Sequence, residues 1–99
     1  MTASTIDAGS VMRFPVGVRL QHDRARERWV LLAPERVIEL DEIAHAVLTH
    51  VDGRSDVEAI VAALAHEYGA DAGEIYGDVI ELFSSLLERR MLAFAPQLS

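Results

Sequence analysis

Cysteine is missing from all 99 residues of the sequence. Its absence excludes disulfides, thiolate metal sites and cysteine nucleophiles, and it fits a reducing compartment such as the cytoplasm. No apolar run reaches the roughly 18 residues that a membrane-spanning helix needs, so we expect no membrane partner. Residues 1–10 also lack the basic-then-apolar pattern of a signal peptide.

Lysine is missing too, and the charge is unevenly spread. The net charge is −7, with +1 over residues 1–40 and −8 over residues 41–99. An acidic chain is repelled by nucleic acid and by anionic membranes. The arginines of the first part could attract an acidic peptide, or they could simply solvate one face of a sheet, and the sequence leaves both readings open.

Three segments between residues 16 and 40 carry strand patterns. Residues 16–21 alternate apolar with small or polar side chains, as a half-buried strand does. Residues 29–32 are apolar enough for a strand that is covered on both faces, and Pro34 ends it because proline cannot donate to a ladder. Residues 36–40 form a third strand, and the short turns between the three predict an antiparallel meander.

The periodicity becomes helical after residue 40. Asp41 is an N-cap residue, Ser55-x-x-Glu58 is a capping box, and Asp71-x-x-Glu74 repeats this arrangement. Each start is followed by apolar side chains at helical spacing. The three helices are expected to run from Asp41 to the left-handed stop Gly53, from Ser55 to Gly69, and from Asp71 to about Arg90.

Three strands followed by three helices predict an α+β, winged-helix-like domain, in which a three-stranded antiparallel sheet precedes a three-helix bundle. We place this domain at residues 13–94. Residues 1–12 are predicted to be a disordered N-terminal tail and residues 95–99 a C-terminal tail.

No motif for catalysis or metal binding stands out. His45 and His50 are five residues apart, which puts them about 140° apart around a helix and unsuited to share a metal. His66-Glu67 lacks the second histidine of the zinc-protease motif, and no glycine-rich phosphate loop is present. We therefore predict no enzyme activity, no catalytic residue, no metal and no cofactor.

A winged-helix shape raises the question of DNA binding, but the second and third helices are acidic. Recognition helices need basic side chains to hold phosphates before bases are read. We predict no nucleic-acid partner, because these helices carry Asp56, Glu58, Glu67, Asp71, Glu74, Asp78, Glu81 and Glu88.

The third strand precedes the helices and is expected at a sheet edge. An edge offers unpaired N–H and C=O groups with which an extended peptide can pair, and the third helix would form the other wall of such a cleft. The edge could instead be covered by the tail or by another copy. An exposed edge and a short N-terminal strand also allow strand exchange, so we expect a monomer or a weak dimer, and strand exchange could give a swapped dimer in a crystal.

Several fragments together resemble one family. They are Val18-Arg19-Leu20-x-x-Asp23-x-x-Arg26, Trp29-Val30-Leu31-Leu32-x-Pro34-Glu35, Leu40-Asp41, Asp52-Gly53, Val57-x-x-Ile60-Val61-x-x-Leu64, and Asp78-Val79 through to Leu86. This pattern is similar to the pyrroloquinoline quinone biosynthesis protein D (PqqD) family over about four-fifths of the chain. One departure is Arg89-Arg90, where relatives often have glycine near the end of the last helix.

The resemblance implies a peptide chaperone, a recognition element for ribosomally made and modified peptides. Such a protein binds the precursor peptide of pyrroloquinoline quinone (PqqA) and presents it to a radical S-adenosylmethionine enzyme (PqqE), which crosslinks a Glu and a Tyr of the peptide. The alternatives are a winged-helix-like interaction or regulatory subunit that presents no substrate, and a small enzyme.

In that family the peptide adds a strand beside the third strand, against the third helix. Carried over to this chain, the resemblance places the peptide on Arg36, Val37, Ile38, Glu39 and Leu40, with Ile75, Asp78, Val79 and Leu82 as the helix wall. Trp29, Leu31 and Leu48 are expected in the core instead.

Overall fold

A computed structural model describes residues 6–96, so residues 1–5 of the predicted N-terminal tail and residues 97–99 of the predicted C-terminal tail lie outside the described residues. The described part has the α+β order expected from the sequence, with two additional short strands. Its elements are β1 (Met12–Arg13), β2 (Arg19–Asp23), β3 (Arg28–Ala33), β4 (Arg36–Glu39), α1 (Glu42–Leu48), α2 (Val57–Tyr68), α3 (Ala72–Glu88) and β5 (Ala93–Phe94).

The three predicted strands are β2, β3 and β4, and they form an antiparallel meander in that order. The register pairs Leu31 of β3 with Leu20 on one side and with Ile38 on the other. Because side chains alternate across a strand, these three residues share the face that packs on the helices. Val30 points to the opposite face and is still only 4% exposed, so the middle of the central strand is buried on both faces, whereas its first two residues are exposed.

Aspartate caps begin all three helices. The carboxylates of Asp41, Asp56 and Asp71 accept hydrogen bonds from backbone N–H groups three residues later, at 2.7, 2.9 and 3.0 Å. Asp56, not the predicted Ser55, is the N-cap of α2. Ser55 is drawn into the preceding loop, where its N–H and hydroxyl donate to the Asp52 carboxylate at 2.8 and 3.2 Å.

The end of α2 agrees with the sequence prediction, and the end of α1 differs from it. Gly69 ends α2 in the left-handed conformation, with φ of 60°, as expected. Helix α1 is shorter than predicted, because it stops at Leu48 and Gly53 lies in the following loop. At the end of α3, Arg90 has a φ of 61°, a conformation that glycine adopts more readily.

The core is built mainly from the three helices. Phe83 and Val79 of α3 are fully buried, and α2 contributes four of its twelve residues. The predicted core residues Leu31 and Leu48 have no exposed surface, whereas Trp29 is 38% exposed. Its indole ring stacks on the His45 ring with centroids 4.2 Å apart, so Trp29 joins the sheet to α1 at the edge of the core.

The folded unit extends beyond the predicted boundaries at both ends. Ile6 and Met12, which fall in the predicted N-terminal tail, are buried in the core cluster. Strand β1 pairs with β5, and the Ala95 N–H donates to the Val11 carbonyl at 2.8 Å. The N–H groups of Val57 and Glu58, which open α2, donate to carbonyls of residues 10 and 8. Residues 6–12 therefore belong to the domain.

Within residues 6–96, no helix is long and apolar enough to cross a bilayer.

Candidate functional site

Strand β4 is an edge of the sheet, and β3 is its only strand neighbour within residues 6–96. The Leu40 N–H donates to the Trp29 carbonyl at 3.0 Å, so positions 29 and 40 form a hydrogen-bonded pair. In an antiparallel ladder such pairs alternate with pairs whose backbone groups point away. The register of β3 and β4 therefore turns the N–H and C=O of Ile38 toward β3. It turns those of Val37 and Glu39 outward.

The side chains of β4 follow the same alternation. Ile38 and Leu40 are partly buried against the core, whereas Val37 is 61% exposed on the outer face of the sheet. The Glu39 carboxylate accepts from Arg28 at 2.8 Å and from Arg26 at 3.2 Å. Two arginines of the basic part of the chain, Arg28 of β3 and Arg26 of the turn before it, are thus paired with Glu39 of β4.

A pocket of about 320 Å³ lies between α1, the end of α2 and the first half of α3. Its apolar floor includes Val47, Leu64 and Val79, all of which are at most 3% exposed. Two large apolar side chains, Ile43 and Tyr68, line it while remaining 63% and 61% exposed. The volume is at the low end of the roughly 300–1,000 Å³ typical of ligand sites.

The charged part of the pocket wall is entirely acidic. Glu42 of α1 and Glu74 and Asp78 of α3 line the pocket, and no arginine or histidine does. The ion pairs found in the described part of the chain join Glu39 to two arginines and Glu67 to His50, so none includes these three carboxylates. A ligand entering the pocket would meet apolar surface beside uncompensated negative charge.

The predicted site residues fall into two groups. Ile75, Asp78 and Val79 line the pocket together. Leu82 is one turn further along the same stripe of α3 and packs against the core without lining the pocket. The strand residues Arg36 to Leu40 form the open edge and do not line the pocket. The structure thus places the nine predicted residues on an edge and on a helix wall.

The wall contributed by α1 is missing from the predicted site. Ile43 of α1 and Tyr68 of α2 are among the apolar side chains at helical spacing in the sequence, a pattern that predicts the buried face of a helix. A helical stripe identifies the apolar face but not which part of that face stays uncovered.

Among residues 6–96 no group of three or more metal-ligating side chains is assembled.

An open sheet edge beside an acidic-walled apolar pocket, on a winged-helix-like α+β domain, defines a class of domain suited to binding an extended peptide. The family model described as coenzyme PQQ synthesis protein D (PqqD) matches residues 28–92. A PqqA binding protein of Xanthomonas campestris pv. campestris (strain B100) is 54% identical over 89 residues, which cover 90% of this chain and 97% of the relative. The chain belongs to the PqqD family.

Two solved structures are similar in fold and sequence. One is the solution NMR structure of the PqqD part of Methylobacterium extorquens PqqCD, described as a functional, stand-alone recognition element for ribosomally synthesised and modified peptides. It is 42% identical with a TM-score of 0.80, covering 90% of this chain and 95% of that one. The other is the crystal structure of PqqD from Xanthomonas campestris, 53% identical with a TM-score of 0.58, covering 90% and 99%.

Proposed function

We propose that this chain binds a PqqA precursor peptide and presents it to a radical S-adenosylmethionine enzyme of the PqqE type, which crosslinks a Glu and a Tyr of the peptide. Family membership and the 54% identical relative named PqqA binding protein support the binding step. The relatives are named for binding and for recognition, which agrees with the prediction of a non-catalytic chain. Nothing in their names favours the alternative of a regulatory subunit that presents no substrate.

The observation that carries this proposal is the orientation of the β4 backbone. The outward N–H and C=O groups of Val37 and Glu39 offer two donors and two acceptors with which an added strand can pair. In this proposal the peptide lies along Arg36–Leu40. Ile75, Asp78, Val79 and Leu82 then supply side-chain contacts along α3. Because the precursor is made on ribosomes, we place the encounter in the cytoplasm.

The binding step is tested by titrating synthetic PqqA peptide into the chain with calorimetry. Leu82→Ala should weaken binding by about 1 kcal/mol, or about fivefold in Kd, because a partly exposed leucine loses part of its apolar contact. Arg89→Ala, an exposed position at the other end of α3, is the control and should bind like wild type. Leu82 also packs on the core, so circular dichroism must show both variants folded before the affinities are compared. Equal affinity of all three folded proteins would remove α3 from the binding site.

The presentation step has its own readout. Crosslinking of PqqA by the radical S-adenosylmethionine enzyme should require the chain, and Leu82→Ala should lower the rate in proportion to the fraction of peptide bound. A crosslinking rate that is unchanged when the chain is omitted would contradict presentation while leaving binding intact.

A further inference from the structure

The three carboxylates of the acidic pocket wall form no ion pair within the described chain, and two of them are close enough to repel each other. Glu74 and Asp78 are four residues apart on α3, where side chains of like charge face each other and repel. Glu42 adds a third carboxylate from α1 across the pocket. A cation beside this wall would relieve the repulsion, and the pocket lining offers none.

The pocket is also close to the end of the proposed peptide track. Helix α1 begins at Glu42, three residues after β4 ends at Glu39. Three residues of chain span at most about 11 Å, so the α1 wall starts within that distance of the edge strand's last outward residue. An added strand that advances about 3.3 Å per residue covers this distance in about three residues.

Resting on the proposed function, we propose that the pocket is a specificity subsite for one apolar side chain of the precursor peptide with an arginine or lysine next to it. The apolar side chain covers Val47, Leu64 and Val79, together with the exposed Ile43 and Tyr68. The basic side chain lies against the acidic wall to which Glu42, Glu74 and Asp78 contribute. The pair is located about three residues from the peptide residue that faces Glu39, beyond the segment paired with β4.

The test compares two triple variants of equal charge change. The pocket variant carries Glu42→Gln, Glu74→Gln and Asp78→Asn. The control carries Glu58→Gln, Glu81→Gln and Glu88→Gln, three exposed carboxylates outside the pocket lining. The probes are synthetic PqqA peptide and a set of its variants in which each arginine or lysine is replaced singly by glutamine. Calorimetric Kd values are measured for every pair at low and at high salt.

Exposed ion pairs contribute factors of about 1.5 to 5 each, so the pocket variant should bind wild-type PqqA about tenfold more weakly, against less than about twofold for the control. One of the single arginine-to-glutamine or lysine-to-glutamine replacements in the peptide should weaken binding to the wild-type chain. The same replacement should leave the Kd for the pocket variant unchanged. Added salt should weaken the wild-type complex more than that of the pocket variant.

Equal affinities of the two triple variants, or a set of peptide substitutions that all leave binding unchanged, would overturn the subsite. So would a pocket variant that alters self-association in sedimentation without altering PqqA affinity, since the occupant would then be a second copy. Failure of PqqA to bind the wild-type chain at all would instead overturn the proposed function, which keeps the two failures distinct.

Discussion

Replacing Val37 by proline tests the proposed peptide edge at its backbone. The Val37 N–H points away from β3, so proline removes no hydrogen bond of the existing sheet. It removes one donor from the edge and leaves a peptide carbonyl unpaired. That loss should cost about 1–2 kcal/mol of binding, or about 5- to 30-fold in Kd.

Two matched variants separate the loss of the backbone N–H from the loss of side-chain contacts and from damage to the fold. Val37→Ala keeps the N–H and shortens the side chain, so the difference between the proline and alanine variants isolates the backbone bond. Ile38→Pro removes an N–H that faces β3, so it breaks the hydrogen-bond ladder between β3 and β4. We expect Ile38→Pro to disrupt the fold, which makes the neighbouring position the proper test of the edge.

The assay is calorimetric titration with PqqA after circular dichroism has shown that each protein is folded. A folded Val37→Pro variant that binds as tightly as Val37→Ala would show that the peptide does not pair with β4. Strand addition would then be excluded even if α3 contributed to binding.

Three further predictions concern stability and assembly. Arg90→Gly should raise the free energy of unfolding by about 0.5 kcal/mol, because Arg90 is held at a φ of 61°, which glycine adopts more easily. Arg89→Gly should lower the free energy of unfolding, because Arg89 has an ordinary φ of −89°. Thermal melts of both variants test this difference. Asp56→Ala should destabilise by about 1 kcal/mol through loss of the α2 cap, measured by urea unfolding, and an unchanged midpoint would contradict the assigned cap. Size-exclusion chromatography over a dilution series should show a monomer or a weak dimer with unchanged PqqA affinity, and affinity that rises with dimer population would mean that two chains build the edge.

The loop before α2 predicts a pH dependence. Hydrogen bonds from the backbone N–H of Ser55 and then of Arg54 lower the pKa of Asp52 from its ordinary value of 3.8. A carboxyl whose pKa is lowered on folding stabilises the protein above its unfolded pKa, and this contribution is lost as the pH falls through the folded value. Asp52→Ala should therefore lower Tm at pH 7, and the difference from wild type should shrink below pH 4. A difference that is independent of pH would refute this role of the charge.

Most of the element order follows from local rules that the sequence carries. Alternation over residues 16–21 and the helical stripes after Asp41 depend on neighbours within a few positions, and the structure has strands and helices there. The family resemblance predicted from the fragments between Val18 and Leu86 is confirmed by the family model. Local chemistry also predicted the caps Asp41 and Asp71.

The differences arise where several partners compete or where the partner is distant in sequence. Ser55 and Asp56 are both good caps, and Asp52 captures the serine hydroxyl, which leaves the aspartate for α2. Burial of Ile6 depends on contacts with the rest of the fold that no local pattern encodes. The α1 wall of the pocket was missed for the same reason, since Ile43 belongs to a regular apolar stripe and only the packing leaves it exposed.

Amide hydrogen exchange of β4, followed by NMR with and without PqqA, tests the central claim most directly. The N–H groups of Val37 and Glu39 point away from β3 and have no strand partner within residues 6–96, so their exchange should slow once a peptide strand pairs with them. The Ile38 N–H, already bonded toward β3, serves as the internal control and should change little. Slowed exchange at Val37 and Glu39 is the predicted result; saturating peptide that leaves both rates unchanged would contradict the account.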